Sequence, residues 1–185
     1  MKITEAPAQA FLQSLLELFP RGGVSATDMT WIPGNEVPEP YRRLLVHTHH
    51  MTVTLEAFHR SPVVLQVLDR SRAGDDYARQ LKLTAGPAGR VVLLGIMRLR
   101  LAVCSERVRQ RVTDEGTPLG RILIEEDVLR RIEPWGFFRV HLNDPTRAQF
   151  GVRGEAASTY GRVAVIICDG EPAVELLEIV SPEEP

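Results

Sequence analysis

From Ala8 to Phe19 apolar side chains recur at helical spacing (Phe11, Leu15, Leu16, Phe19), and the run stops at Pro20 and Gly22-Gly23. That pattern predicts an amphipathic helix. A Pro/Gly-rich connection holding Trp31 continues to about Pro38. PYRRLLVHTHHMTVTLEAFH, residues 40–59, reads as one or two helical pieces, with Thr48 or Thr52 able to cap the second and Ser61-Pro62 ending it. Alternation then replaces the helical period. VVLQVLDRS (63–71), YARQLKLT (77–84) and RVVLLGIMRLRL (90–101) read as strands of an antiparallel meander, the last two joined by AGPAG. CSERVRQRVTDE (104–115) is helical, and TPLGRIL opens another helix with Thr117 as cap and Pro118 at its first position. FFRVHL (137–142), YGRVAVIICDG (160–170) and EPAVELLEIV (171–180) supply three more strands, the last two forming a hairpin over Asp169-Gly170. This order contains few strand–helix–strand units, so the predicted class is α+β: a single antiparallel sheet of about six strands with helices on one face.

A chain of 185 residues with 44% hydrophobic content suits one domain, residues 1–185. Charges nearly balance, with a formal net charge of −2 and a pI near 6.2, which argues against nucleic acid and anionic membrane as partners. Cys104 and Cys168 are far apart and match no metal or redox spacing, as expected in a reducing compartment. The N-terminal MKITEAPAQAFLQSLLELF has charges among its apolar residues and is patterned at helical period, unlike a secretory signal, and no apolar run approaches ~20 residues. The expected location is cytoplasmic.

Three features carry candidate chemistry. The first is the pair Glu175 and Glu178 within the apolar final strand: three residues apart, they point to opposite faces, so both cannot face water if one face is covered. Val174, Leu176, Glu178 and Val180 share one face, Glu175, Leu177 and Ile179 the other, and parity alone does not choose between the glutamates. The second is Arg79, which sits with Leu81 and Leu83 on the apolar side of its strand. Burying an unpaired charge costs several kcal/mol, so an inward Glu and an inward Arg are expected to meet each other, to meet a shared polar ligand, or to snorkel to water. The third is HTHHMTVTLEAFH, where His47, His49, His50, Glu56 and His59 cluster. It lacks the two-histidine helix spacing of a metalloprotease, so helix-surface histidines are expected and no metal is assigned. No GxSxG elbow or placed histidine supports a Ser or Cys nucleophile, and Cys104 stands only at the start of a helix. The arginines at 107, 109, 111, 121, 130 and 131 read as solvated helix faces offset by nearby acids.

TPLGRIL at 117–123 followed by GEPAVELLEIVSP at 170–182 resembles the chorismate pyruvate-lyase family, the 4-hydroxybenzoate-forming lyases. LLVHTHHMTVTLE resembles the family segment in which a Leu-Leu pair and Met-Thr precede a helix, YARQLKL its arginine-bearing strand, and the final strand carries the family's glutamate six residues after a proline, here Glu178 after Pro172. The match spans about residues 41–182, with residues 1–40 forming an N-terminal helix and loop. The chain departs from the family at Arg98 and Arg100, where the lyases have small residues and valine, and at the histidines before Met51. The resemblance implies a six-stranded antiparallel sheet with helices covering an enclosed ligand cavity. It implies Glu178 as the inward glutamate and Glu175 as the exposed one. Arg79 would grip the carboxylate of an aromatic acid, Glu178 would act at the enolpyruvyl end as general acid, and Met51 and Leu119 would offer backbone groups. The implied reaction is elimination of pyruvate from chorismate to leave 4-hydroxybenzoate, without metal or organic cofactor. The same fold also serves as the ligand-binding domain of bacterial transcription regulators, so a non-catalytic sensor of an aromatic carboxylate is the alternative. Those regulators carry an N-terminal DNA-binding domain, and about 40 residues before the matched region are too few for a winged helix. Monomer and dimer both remain open.

Overall fold

Alternation and β-branched content fold the chain into β1 (Met29–Ile32), β2 (Val63–Ala73), β3 (Asp76–Ala85), β4 (Arg90–Arg100), β5 (Arg130–His141), β6 (Ser158–Cys168) and β7 (Glu171–Val180). The computed structural model describes residues 5–152 and 158–183. Among these, the strands make a seven-stranded sheet in the order β1-β5-β6-β7-β4-β3-β2, and every neighbouring pair is antiparallel. The periodicity predicts about six strands; the addition is β1, four residues inside the Pro/Gly-rich connection, too short to show a period and recognisable only through its pairing with β5. β5 begins at Arg130 rather than Phe137, because Glu133 and a register shift between Pro134 and Gly136 conceal its alternation. The β6–β7 hairpin turns on Asp169 (φ 50°) and Gly170 (φ 88°), the paired left-handed residues of a tight turn that follows the sheet's twist.

The helices are α1 (Glu5–Leu16), α2 (Tyr41–Leu45), α3 (Met51–His59), α4 (Glu106–Thr113), α5 (Leu119–Glu125) and α6 (Asp144–Phe150). They cover both faces of the sheet, not one. Phe11, Leu12, Leu15 and Leu16 of α1 and Phe150 of α6 pack on Leu94, Ile96, Val163, Val165, Leu177 and Ile179. On the reverse face, Val108 and Val112 of α4 and Ile122 and Leu123 of α5 pack on Met97, Leu99, Ala164, Ile166 and Val174, beside Leu44, Leu45 and Leu55 of α2 and α3 on Leu83, Leu93 and Val180. Period-2 strands in the middle of this sheet are therefore buried on both sides, which explains their near-continuous apolar runs.

Helix starts differ from the sequence expectation. His50 precedes α3 without a side-chain cap, and Thr52 lies within the first turn. Ser105 caps α4 by accepting from the Val108 N–H, so Cys104 lies before the helix. Pro118, not Thr117, occupies the position before α5. No helix among the described residues is long and apolar enough to cross a membrane.

Candidate functional site

The antiparallel register sets the floor of a cavity row by row. Arg79 stands beside Met97, then Leu176 and Ala164. The next row holds Leu81, Gly95, Glu178 and Arg162. Gly95 lacks a side chain in the middle of that row, and a Cβ there would sit 3.1 Å from the Leu177 carbonyl oxygen. Arg79 and Glu178 thus share one face, two strands and one row apart, on the order of 10 Å.

The roof is made where two helix starts meet. Met51 and Thr52 open α3; Leu119 and Gly120 open α5. Gly120 allows the approach: a Cβ on it would lie 3.0 Å from Thr52 Oγ1 and 3.2 Å from the His50 Cβ. This is the physical content of the glycine in TPLGR. Between floor and roof lies a cavity of about 60 Å³ lined by Met51, Arg79, Leu119, Arg162 and Glu178, with apolar walls from Leu65, Leu81, Leu93, Ile132, Ile166 and Leu176. That is several times the ~10–15 Å³ a single water needs, and suits a small ligand rather than a chain.

Arg79 is 0% exposed. Its Nη1 donates to the Val112 carbonyl at 3.3 Å, while Nε and Nη2 have no partner among the described residues. Burial lowers its pKa from the ordinary guanidinium value, with Tyr77 working in the opposite sense. A guanidinium does not give up its proton in proteins, so this is a buried cation with two donors open.

Glu178 is 7% exposed and takes its charge-assisted bond from Arg162, 1% exposed, whose Nε donates to Oε2 at 2.6 Å. Arg162 Nη1 donates to the carbonyls of Leu45 and His47, each at 3.0 Å. This buried arginine ties β6 to the end of α2 and the segment that follows it. The sequence reading missed it, although one signal was there: a lone charge in the apolar run GRVAVIIC. Glu175, on the other face, is half-buried and paired with Arg98 rather than freely exposed.

The histidines do not converge. His47 Nε2 donates to the Leu44 carbonyl at 2.7 Å, and its Nδ1 accepts from the His49 N–H at 3.2 Å. Arg130 Nε donates to His50 Nε2 at 2.6 Å. Burial first, then nearby arginines, push His47 and His50 down to about 4. Glu56 is held by Arg121 at 2.7 Å and by the Val63 N–H. Among the described residues no three His, Cys, Asp or Glu side chains are grouped to hold a metal. Of the cluster, His50 alone lines the cavity.

Comparison with known proteins gives a fold match only. No protein-family profile matches the sequence, and no curated protein matches it. Among solved structures the chain is similar to the effector domain of PhnF from Mycobacterium smegmatis, with a TM-score of 0.51 and 11% identity over 72% of this chain and 88% of that one. It is also similar to a structure of PhnF from the same organism, at TM-score 0.51 and 13% identity, over 92% of this chain and 78% of that one. The fold is chorismate lyase-like. At these identities the likeness extends to the fold and no further. Within the chorismate lyase-like fold, the cavity lies between the central strands β3, β4, β7 and β6 and the starts of α3 and α5.

Proposed function

We propose that this chain is a non-catalytic binding module for a small carboxylate-bearing molecule with a flat apolar body, an aromatic acid being the simplest case. The observation that carries the reading is Arg79: fully buried, lining a cavity, with Nε and Nη2 unpartnered. A cation left in that condition is costly, and the cost is removed by an anion. Nε and Nη2 are the two donors that form parallel bonds to the two oxygens of one carboxylate. Met51 and Leu119, each at a helix start, line the same cavity. The apolar walls match a ring or other flat hydrocarbon body.

A second reading is the lyase, eliminating pyruvate from chorismate with Glu178 as general acid and Arg79 as carboxylate clamp. It is favoured by Glu178 and Arg79 lining one cavity. Against it, Arg162 uses Glu178 as a bond acceptor, whereas a general acid must present a proton. The likeness of fold to an effector domain agrees with sensing. A cytoplasmic setting without metal or organic cofactor belongs to both readings, and neither requires a DNA or membrane contact from these residues.

The test pairs binding with turnover. Calorimetric titration with 4-hydroxybenzoate is expected to show saturable binding that Arg79→Ala weakens about 10- to 150-fold, the equivalent of ~1.5–3 kcal/mol for a charged hydrogen bond. Chorismate incubated with the protein is expected to yield no pyruvate. Pyruvate release that disappears in Glu178→Gln would refute the non-catalytic reading.

A further inference from the structure

Outside the cavity, α3 stands as a ridge between two surface grooves. One, of about 800 Å³, separates it from the junction of α5 and β5, with His49, Val53, Asp127, Leu129, Arg130 and Arg131 in its lining. The other, of about 550 Å³, separates it from α2, with Arg43, His49, Val53, Phe58 and Arg60 in its lining. Only His50 and Ile132 border both the first groove and the cavity, and the second groove shares no residue with it. The crest of the ridge is Val53, Ala57 and Arg60, four and three residues apart on one helix face and all exposed.

Two features mark this face. The first is apolar exposure on a bonded backbone. Leu129 is 75% exposed and Val53 46%. The Leu129 carbonyl accepts from the Asp169 N–H at 2.8 Å, the Val128 N–H donates to the Leu123 carbonyl at 3.1 Å, and Arg130 Nη1 donates to the Val128 carbonyl at 2.8 Å. A leucine held outward in this way needs little further ordering when a partner covers it. The second feature is charge. The two linings together hold four arginines (43, 60, 130 and 131) and one acid, Asp127, a net of 4 − 1 = +3 with histidines neutral, on a chain whose net charge is −2. Among the described residues Arg43, Arg60 and Arg130 make no ion pair, while Arg131 meets Glu133 at 2.7 Å.

We propose that this face docks an acidic amphipathic helix of a partner protein, whose apolar side covers Val53 and Leu129 and whose carboxylates meet the arginines on either side of α3. The proposal is independent of what the cavity binds. Apolar anchors ringed by charges of one sign are what a helix-in-groove contact needs: the apolar centre supplies affinity, and the charges supply orientation and on-rate. A nucleic acid would leave Leu129 and Val53 unused, and Phe58, the aromatic residue in these linings, is half-buried with Arg43 4.9 Å above its ring, so it offers no free face for a base. An added strand is disfavoured as well. β5 has no neighbour on its β1 side before Phe137, but Pro134 and the register shift that follows it interrupt that edge. Contact therefore runs through side chains rather than through a backbone ladder.

The experiment is a fluorescence-anisotropy titration of the intact protein with a labelled, alanine-based helical peptide of ~16 residues, carrying two leucines four apart and glutamates on both flanks. Saturable binding below ~1 mM is expected, weakening as salt is raised. Leu129→Ser and the double reversal Arg60→Glu/Arg131→Glu change exposed side chains, and each is expected to weaken binding about tenfold or more, the reversal also flattening the salt dependence. On the unaltered protein, the peptide with lysine in place of glutamate, and the peptide with alanine in place of leucine, are both expected to fail; these two arms do not depend on the fold of any variant. Absence of saturable binding overturns the proposal, as does equal binding of the leucine-free peptide. A proline-interrupted peptide that binds as well overturns the helical form of the partner. A ~12-base-pair DNA duplex that binds more tightly than the acidic peptide, and loses affinity in the double reversal, gives the face to nucleic acid and overturns the proposal in its place.

Discussion

β7 contributes the glutamates of two arginine–glutamate pairs, three residues apart and on opposite faces of one sheet, with Arg98 on β4 and Arg162 on β6. Glu175 and Arg98 lie at the rim of the α1-covered face, with side chains 32% and 26% exposed. Glu178 and Arg162 lie under α3 and α5, with side chains 10% and 1% exposed. The residue types and the cross-strand geometry are the same, as Arg98↔Glu175 and Arg162↔Glu178 are both register partners. Solvent access is what differs. At the rim, water solvates either charge when its partner is removed, so the pair contributes little. In the cavity, removing one partner leaves the other buried and uncompensated. Arg79 completes the contrast as a third buried charge: no carboxylate bonds it directly, and Glu115 acts on it from beyond Tyr77, whose hydroxyl donates to Glu115 Oε1 at 2.7 Å.

The largest expected effect is on the inner pair. Arg162→Ala should destabilise the fold by about 3–5 kcal/mol in denaturant unfolding, because Glu178 is left as a lone buried charge and two carbonyls lose their donor. A loss under ~1 kcal/mol would erase the distinction between the two pairs. Arg79→Met should behave in the opposite way. It breaks no direct ion pair, leaves Glu115 bonded by Tyr77 and Arg70, and removes two unsatisfied donors, so stability should hold or rise by ~1–2 kcal/mol while 4-hydroxybenzoate binding collapses. Thermal melts with and without the acid separate these outcomes; a destabilisation as large as that of Arg162→Ala would make Arg79 a structural residue.

Titration sharpens the same comparison. His47 and His50 are pushed to about 4 from 6.5, by burial first and then with Arg162 among the causes. Their folded-state values lie below the unfolded one, so the unfolded chain takes up protons first as pH falls. Stability should be fully present above about 6.5 and drain away as pH falls toward about 4. In Arg162→Met/Glu178→Leu the arginine's contribution is gone. NMR titration should then find both imidazoles closer to 6.5, the larger change at His47, since Arg130 still acts on His50; unchanged values would show that Arg162 has no part in holding them down. The smallest effect is expected at the rim, where Arg98→Ala should cost about 0–1 kcal/mol and less still at high salt.

Much of the sheet was legible because strand periodicity is local. The meander β2–β4 and the Asp169-Gly170 hairpin follow from alternation and turn chemistry. β1 was not legible, since four residues define no period and its only support is the neighbouring β5. Nor was α6: seven residues closed by Asn143 at one end and Gly151 (φ 67°) at the other carry a turn signal rather than a helical one. At the site, Arg79 and Glu178 stood out as charges on apolar strand faces. Arg162 carries the same signal within YGRVAVIICDG, but one charge near the start of a strand does not say which face is covered. His50 was grouped by proximity in sequence with three other histidines, yet only it turns toward the cavity.

Sequence by itself determined the class of the fold, which side chains share a face within each recognised strand, and the presence of charges that apolar faces cannot hold without partners. It did so because side-chain direction along a strand has a fixed period of two and burial of charge has a large, composition-independent cost. Which charges became partners was decided only by tertiary structure. Glu178 chose Arg162 over Arg79 because β6 and β7 are adjacent and in register, whereas β3 stands two strands away. Strand order and register are global quantities, set by how all seven strands share one sheet, and no local pattern contains them.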